Sequence, residues 1–216
     1  MRSAEHGVIP LYSTPIYHAK DTGFRCSEKE LNTIENLRCS PSSVDSCLLA
    51  QNEYVLNLNP LSRIKKECEK QLRIYTKEVL CINQDFYITN SWITKKSLSS
   101  GYKSHHEHRH PNSIFSGVLY LDVEEGNDQK LFFHGKPGIL HEYNFEYKYS
   151  NLNIYNSEVY WIPVALGTCL IFPSQLVHWV EEFKTGGQRI VLGFNCFVKG
   201  KFGGKGYATD LFLKGP

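Results

Sequence analysis

The sequence predicts a mostly β barrel or sandwich with bracing helices on one side. Two observations carry this. Hydrophobic spacing is helical through the first third of the 216 residues and changes to a period of two from Phe86 onward. Aromatic residues make up 13% of the chain and fall mostly after Tyr87, where such composition favours sheet. A run of short strands after a few helices is what this architecture needs.

The elements follow in order. Ser27-Glu28-Lys29-Glu30 has the capping-box pattern, and Leu31, Ile34 and Leu37 continue at helical spacing. Ser40-Pro41-Ser42-Ser43 breaks that helix. Asn59 is the expected cap of a second helix, with Pro60 at its first position. Leu61, Ile64, Cys68, Leu72, Tyr75 and Val79 form its apolar stripe, with Arg63, Lys65, Lys66, Glu69 and Lys70 on the wet side. Strands are expected at Phe86 to Thr94, Ile114 to Val123, Lys130 to His134, Val159 to Ile162, Thr168 to Phe172, Leu176 to Glu181 and Arg189 to Val198. Turn signals separate them at Ser99-Ser100-Gly101, Glu125-Gly126-Asn127-Asp128, Pro163 through Gly167 and Thr185-Gly186-Gly187. Helical support at 27–82 and a β core at 86–198, with no dividing linker, read as one domain over 1–216. Gly135 to Ser157 is rich in Tyr and Asn without periodicity, which suits either a lid or a decorated surface loop.

Composition narrows the function classes. The net charge of +2, with acids and bases interspersed, gives no electrostatic footprint for nucleic acid or an anionic membrane. No apolar run is long enough to span a bilayer, and Met1 to Leu11 lacks the order of a secretory signal. The seven cysteines are odd in number and contain no Cys-x-x-Cys. Free thiols in a reducing, cytoplasmic setting are therefore expected, several of them as small core residues.

The histidines carry the chemistry. His105, His106, His108 and His110 lie within six residues. In an extended strand, residues two apart point to one face, so His106, His108 and His110 would face one way and His105, Glu107 and Arg109 the other. Neutral imidazoles presented this way suit Fe, Zn, Cu or Ni. His6, His18, His134 and His141 have no such context. A further histidine, His178, follows the buried strand ending at Phe172-Pro173-Ser174. After ten intervening residues Arg189 opens the next strand, sharing a face with Val191, Gly193 and Asn195. An arginine facing an apolar interior needs an anion, and its planar fork matches a carboxylate.

This combination resembles the iron- and 2-oxoglutarate-dependent oxygenases, and most closely those of phages and marine bacteria. The resemblance runs from Ile9-Pro10-Leu11 to Asn195. It is strongest at Ser91-Trp92, His108-Arg109-His110-Pro111-Asn112-Ser113, Ser116 to Leu121, Leu170 to Ser174 with His178, and Arg189 to Asn195. It implies a double-stranded β-helix (jelly roll, cupin-like), Fe2+ and 2-oxoglutarate as cofactors, and hydroxylation of an organic substrate. It implies His178 as the distal metal ligand, Arg189 as the grip on the far carboxylate of 2-oxoglutarate, and Tyr120 as its helper. Asn195, on the Arg189 face, joins this cofactor-binding group.

The superfamily usually supplies two histidines and one carboxylate, the acid two residues after the first histidine. With His108 in first place, His110 stands where the acid is expected. The preferred set is His108, His110 and His178. Frames using His106 with His108, or His105 with Glu107, stay open. A cupin-like metal-binding protein or isomerase would keep the histidines and have no use for Arg189. A non-enzymatic barrel would need neither. The substrate, a small molecule or a protein side chain, is not legible, and a homo-oligomer is compatible with the sequence.

Overall fold

The computed structural model describes residues 7–42, 47–96, 106–124, 129–135, 146–180, 189–204 and 208–215. The expected turns at 99–101, 125–128 and 185–187, His6, His105, His141, Glu181 and most of the first half of the 135–157 segment lie outside the described residues.

The chain begins with a short strand β1 (Tyr17–Ala19), helix α1 (Glu28–Glu35), and strands β2 (Cys39–Pro41) and β3 (Leu48–Ala50). Two 3-10 turns, Val55–Asn57 and Asn59–Leu61, lead into helix α2 (Ser62–Arg73), which runs on as a π-helical segment, Ile74–Val79. The strands that follow are β4 (Asp85–Lys96), β5 (Phe115–Val123), β6 (Lys130–His134), β7 (Val159–Pro163), β8 (Cys169–Pro173), β9 (Val177–Val180), β10 (Arg189–Phe202) and β11 (Leu211–Leu213).

Local signals explain the first helix. The Ser27 hydroxyl accepts from the Glu30 amide, and the Glu30 carboxylate accepts from the Ser27 amide, so the expected capping box is formed. The second helix starts differently from expectation. Asn59 does not cap it. The chain enters through a 3-10 turn holding Pro60, and the Leu61 amide is served by the Leu58 carbonyl, which leaves nothing for an Asn side chain to satisfy.

The expected stripe holds through Tyr75 and then fails. Leu61, Ile64, Cys68, Leu72 and Tyr75 are buried, whereas Val79 is 53% exposed and Thr76 is buried in its place. The reason is the wider winding over Ile74–Val79, where the Leu80 amide donates to the carbonyl of Tyr75, five residues back. That winding rotates every later side chain off the 3.6-residue stripe.

All pairings within the two sheets are antiparallel. The larger has the order β1-β8-β5-β10-β4-β3-β2, with β11 beside β10; the smaller is β7-β6-β9. Alternation along the central strands divides the core in two. One set, with Ile93, Leu119, Ile171, Leu192 and Phe194, packs with Ile34, Ile64 and Leu72 of the helices. The other, with Tyr120, Leu170, Phe172 and Val191, faces Leu131 and Phe133 of the smaller sheet. Gly117 makes the first set possible, because a Cβ there would stand 2.2 Å from the Phe194 ring. Cys68, Cys169 and Cys196 are buried in that layer, where desolvation raises their thiol pKa values, and all seven cysteines are free. No described helix is long and apolar enough to cross a membrane.

Candidate metal and cosubstrate site

The smaller sheet delivers His178. Its neighbours in β9, Val177 and Trp179, face outward, and Trp179 stacks on Phe132 at 5.3 Å. Alternation then turns His178 inward, to 4% exposure, with its ring 4.6 Å from that of Phe172. His108 reaches the same place by backbone pairing. The His108 amide donates to the His178 carbonyl at 3.1 Å, and the His178 amide donates back at 3.0 Å. Two residues on, the His110 amide donates to the Ser174 carbonyl at 2.9 Å. His108 and His110 therefore point the same way from an extended segment pinned at both positions, although this segment forms only an isolated bridge and not the regular strand expected.

The three rings converge, with centroids 4.4 Å apart for His108 and His178, and 5.1 Å for each with His110. One ligand nitrogen from each lies within 4.8 Å of the others. Protonation suits metal binding. Burial, helped by nearby His108, pushes His110 down to about 4, which leaves it neutral at neutral pH. Nδ1 of His108 lies 2.9 Å from the His106 carbonyl, and Nδ1 of His178 lies 2.9 Å from the Leu176 carbonyl. A carbonyl only accepts, so in each neutral ring Nδ1 carries the proton and Nε2 keeps the lone pair.

The alternative ligand frames fare differently. His106 is exposed and contributes its carbonyl to orienting His108. Glu107 is also exposed, with its carboxylate 3.4 Å from Nδ1 of His134, and neither residue belongs to the converging group.

A cavity of about 330 Å³ opens beside the three rings and is also lined by Arg189 and Tyr120. Arg189, 2% exposed, opens β10 facing inward, and its Nη1 donates to the Gln129 side-chain carbonyl. Tyr120 faces the same space because a bulge shifts the β5–β10 register: Ile190 pairs with Asp122 but Val191 pairs with Tyr120. Burial raises the Tyr120 phenol to about 12, opposed by the nearby Arg189 charge. It is thus a neutral hydrogen-bond donor at neutral pH. Asn195 lies elsewhere. It is buried on the same strand face but outside the cavity lining, and its Oδ1 accepts from Ser116 at 2.7 Å. Ser116 lies 2.8 Å from Ser174, whose carbonyl holds His110. That polar seam links Asn195 to the site.

Three residues near the site were given no role there by the sequence. Trp92 lines the cavity with its ring 5.4 Å from that of His110, and it can do so because Gly193 lies opposite it in the ladder. Gln129, the partner of Arg189, precedes a strand and carries no local signal. Lys96 is 1% exposed and pairs with Arg189 in register. A period-two reading of β4 extended by two residues beyond Thr94 would have found it.

Fold and site together define a double-stranded β-helix protein with a three-histidine group and a buried arginine on one cavity. Residues 90–195 match a family model described as putative 2OG-Fe(II) oxygenase. Among solved structures, the chain is similar to the non-heme α-ketoglutarate-dependent epimerase SnoN from nogalamycin biosynthesis (TM-score 0.60, 9% identity, 90% of this chain and 81% of that one). It is also similar to HygX of Streptomyces hygroscopicus, solved with nickel and 2-oxoglutarate bound (TM-score 0.54, 11% identity, 85% and 82%). A third is a Pseudomonas putida prolyl-4-hydroxylase (TM-score 0.53, 13% identity, 86% and 94%). At these identities the likeness is one of fold. No curated protein matches the sequence.

Proposed function

We propose that this chain is an Fe(II)- and 2-oxoglutarate-dependent oxygenase acting as a hydroxylase. The single observation that carries the reading is the convergence of three imidazoles and a buried arginine on one cavity. The donor set fits the ion. His108, His110 and His178 would hold Fe2+, and the Nε2 lone pairs of His108 and His178 are freed by the backbone contacts described above. The residues also fit a 2-oxo diacid, the ligand that HygX carries beside its nickel. The guanidinium of Arg189 would take the distal carboxylate, and Tyr120 would donate a hydrogen bond to it.

Iron held there would supply the oxidative chemistry, in which O2 gives one oxygen atom to 2-oxoglutarate, which leaves as succinate and CO2, and the other to a substrate C–H bond, which becomes C–OH. The protein's own work is positional. Val118, Leu131, Val180 and Val191 line the cavity with apolar surface, and Trp92 walls the side next to His110. Asn195 would act indirectly, by holding Ser116 and Ser174 behind His110. Three neutral ligands leave the 2+ charge uncompensated by protein, so an anionic cosubstrate suits this site better than it suits one that holds a carboxylate.

The cupin-like reading without 2-oxoglutarate leaves the burial of Arg189 beside the histidines without a purpose. We read the chain as one domain, because both core layers share the same large sheet, and as cytoplasmic, in keeping with its free thiols. The test is anaerobic loading with Fe2+, thermal melting with and without 2-oxoglutarate, and then succinate release on admitting oxygen with a substrate panel. Stabilisation by 2-oxoglutarate only when metal is present supports the reading. Equal melting with and without it refutes it.

A further inference from the structure

We infer that Glu53 selects the substrate at the solvent end of the cavity, where its carboxylate takes a protonated amine, so that the substrate is an organic cation. The inference rests on the oxygenase reading above, which leaves the substrate's chemistry open.

Register separates the two ends of the cavity. In the β4–β10 ladder Arg189 pairs with Lys96, and Phe194 pairs with Ser91, five residues earlier in β4, or about 16 Å along an extended strand. At the Ser91 level a second segment is fastened to β4. The Ser91 amide donates to the Glu53 carbonyl at 2.8 Å, and Tyr54 forms a parallel bridge with Ser91. Next to Ser91 stands Trp92, with its ring 5.4 Å from that of His110. A cosubstrate held at Arg189 and reaching the histidines would fill one side of the metal group, and Glu53 flanks the other. Among the described residues, Glu53 is the one acid lining the cavity, and it does not belong to the group that could hold the metal. Its carboxylate is therefore left for the substrate.

The mount of Glu53 is rigid. Asn52 Oδ1 accepts from the Tyr54 amide at 2.8 Å, and the Ser91 hydroxyl accepts from the Leu56 amide at 3.0 Å. Val55 and Leu56 are buried. Ser91 thus holds the backbone at Glu53 and again three residues on, so gripping a ligand orders little beyond the Glu53 side chain itself. That side chain is exposed, and its carboxylate makes no hydrogen bond or ion pair among the described residues. A carboxylate is an acceptor only, and it has no use for an anion. While the cavity is open, water satisfies it. A substrate that closes the cavity displaces that water, which strengthens attraction for a cation and leaves the carboxylate unsatisfied beside an apolar group. The indole of Trp92, next to it on the wall, favours an organic cation further.

The experiment compares two probes of one shape, cyclohexylammonium and cyclohexanol, at neutral pH. Each is titrated into protein loaded with Mn2+ and 2-oxoglutarate, with Mn2+ replacing iron to prevent turnover. The readout is paramagnetic broadening of the probe's proton signals, which reports only molecules close to the metal. Wild type is expected to prefer the ammonium. Glu53→Gln keeps the shape and removes the charge. It should weaken the ammonium by about tenfold, while cyclohexanol, Mn2+ and 2-oxoglutarate bind as before. Glu53→Lys should weaken the ammonium further, again with cyclohexanol unchanged, and serves alone if Glu53→Gln does not fold. Absence of an ammonium preference in wild type, including failure to bind either probe, overturns the inference. So does a preference retained in Glu53→Gln or Glu53→Lys. Equal weakening of both probes overturns it as the signature of a structural role, and weaker Mn2+ in Glu53→Gln overturns it by giving the carboxylate to the metal. All of these leave the oxygenase reading intact. Failure of Mn2+-loaded wild type to bind 2-oxoglutarate removes that reading, and the inference with it.

Discussion

Replacing Gly193 by alanine drives a methyl group into the indole of Trp92. A Cβ at position 193 would stand 2.5 Å from Cε2, 2.6 Å from Cζ2 and 2.7 Å from Nε1 of that ring. Ordinary contact begins at 3.4 Å, so the indole has to retreat by about 0.9 Å. A rigid bicyclic ring cannot do this by flexing a terminal atom. It must turn about its own side-chain torsions, and His110 stands 5.4 Å from it, centroid to centroid. Overpacking of this kind costs about 1–3 kcal/mol. For a chain of this length each kcal/mol moves the melting temperature by roughly 2–4 °C, so Gly193→Ala should melt roughly 2–12 °C below wild type. The displaced indole should also disturb His110 and weaken Mn2+. Circular dichroism melts and metal titration measure both effects. Trp92→Leu combined with Gly193→Ala should recover part of the lost stability, because the smaller side chain leaves room for the methyl. An unchanged melt in Gly193→Ala, or a double variant that is merely the sum of its parts, would show that the indole is not seated against this glycine.

Three further outcomes are expected. His178→Ala, His108→Ala and His110→Ala should each lose Mn2+ binding with the far-ultraviolet spectrum retained, whereas His106→Ala, which keeps the backbone carbonyl facing His108, should bind normally; full occupancy in His178→Ala would remove the assignment. Arg189→Lys keeps the charge but loses the fork, and should weaken 2-oxoglutarate about ten- to a hundredfold while leaving Mn2+ unchanged by calorimetry. Val79→Lys should change stability by no more than about 0.5 kcal/mol, whereas Tyr75→Ala should cost about 3–5 kcal/mol in urea unfolding. Similar losses from both would mean that the α-helical stripe continues and the π-helical turn is wrong.

What the sequence determined by itself was local or periodic. The Ser27–Glu30 box reads directly because capping is settled within four residues. Lys130–His134 and the start of β10 at Arg189 match expectation residue for residue, because a strand with one buried face writes its period into the chain. His108 and His110 were legible for the same reason: a spacing of two survives in any extended segment, even one held by a single bridge.

The tertiary structure decided what depends on distant partners. Strands β1, β2 and β3 are three residues each, too short to show a period, and they exist because β8 and β4 offer them edges. The exposure of Val79 follows from one wide turn that no spacing rule announces. The sequence preferred His110 to Glu107 from a resemblance, since alternation offers both faces equally; the pairing of His108 with His178 is what turns the His110 face toward His178. Lys96 and Arg189 lie 93 positions apart in the chain. Their opposition arises only when β4 and β10 pair in one particular register, because a shift of one residue would turn every side chain of that strand to the other face.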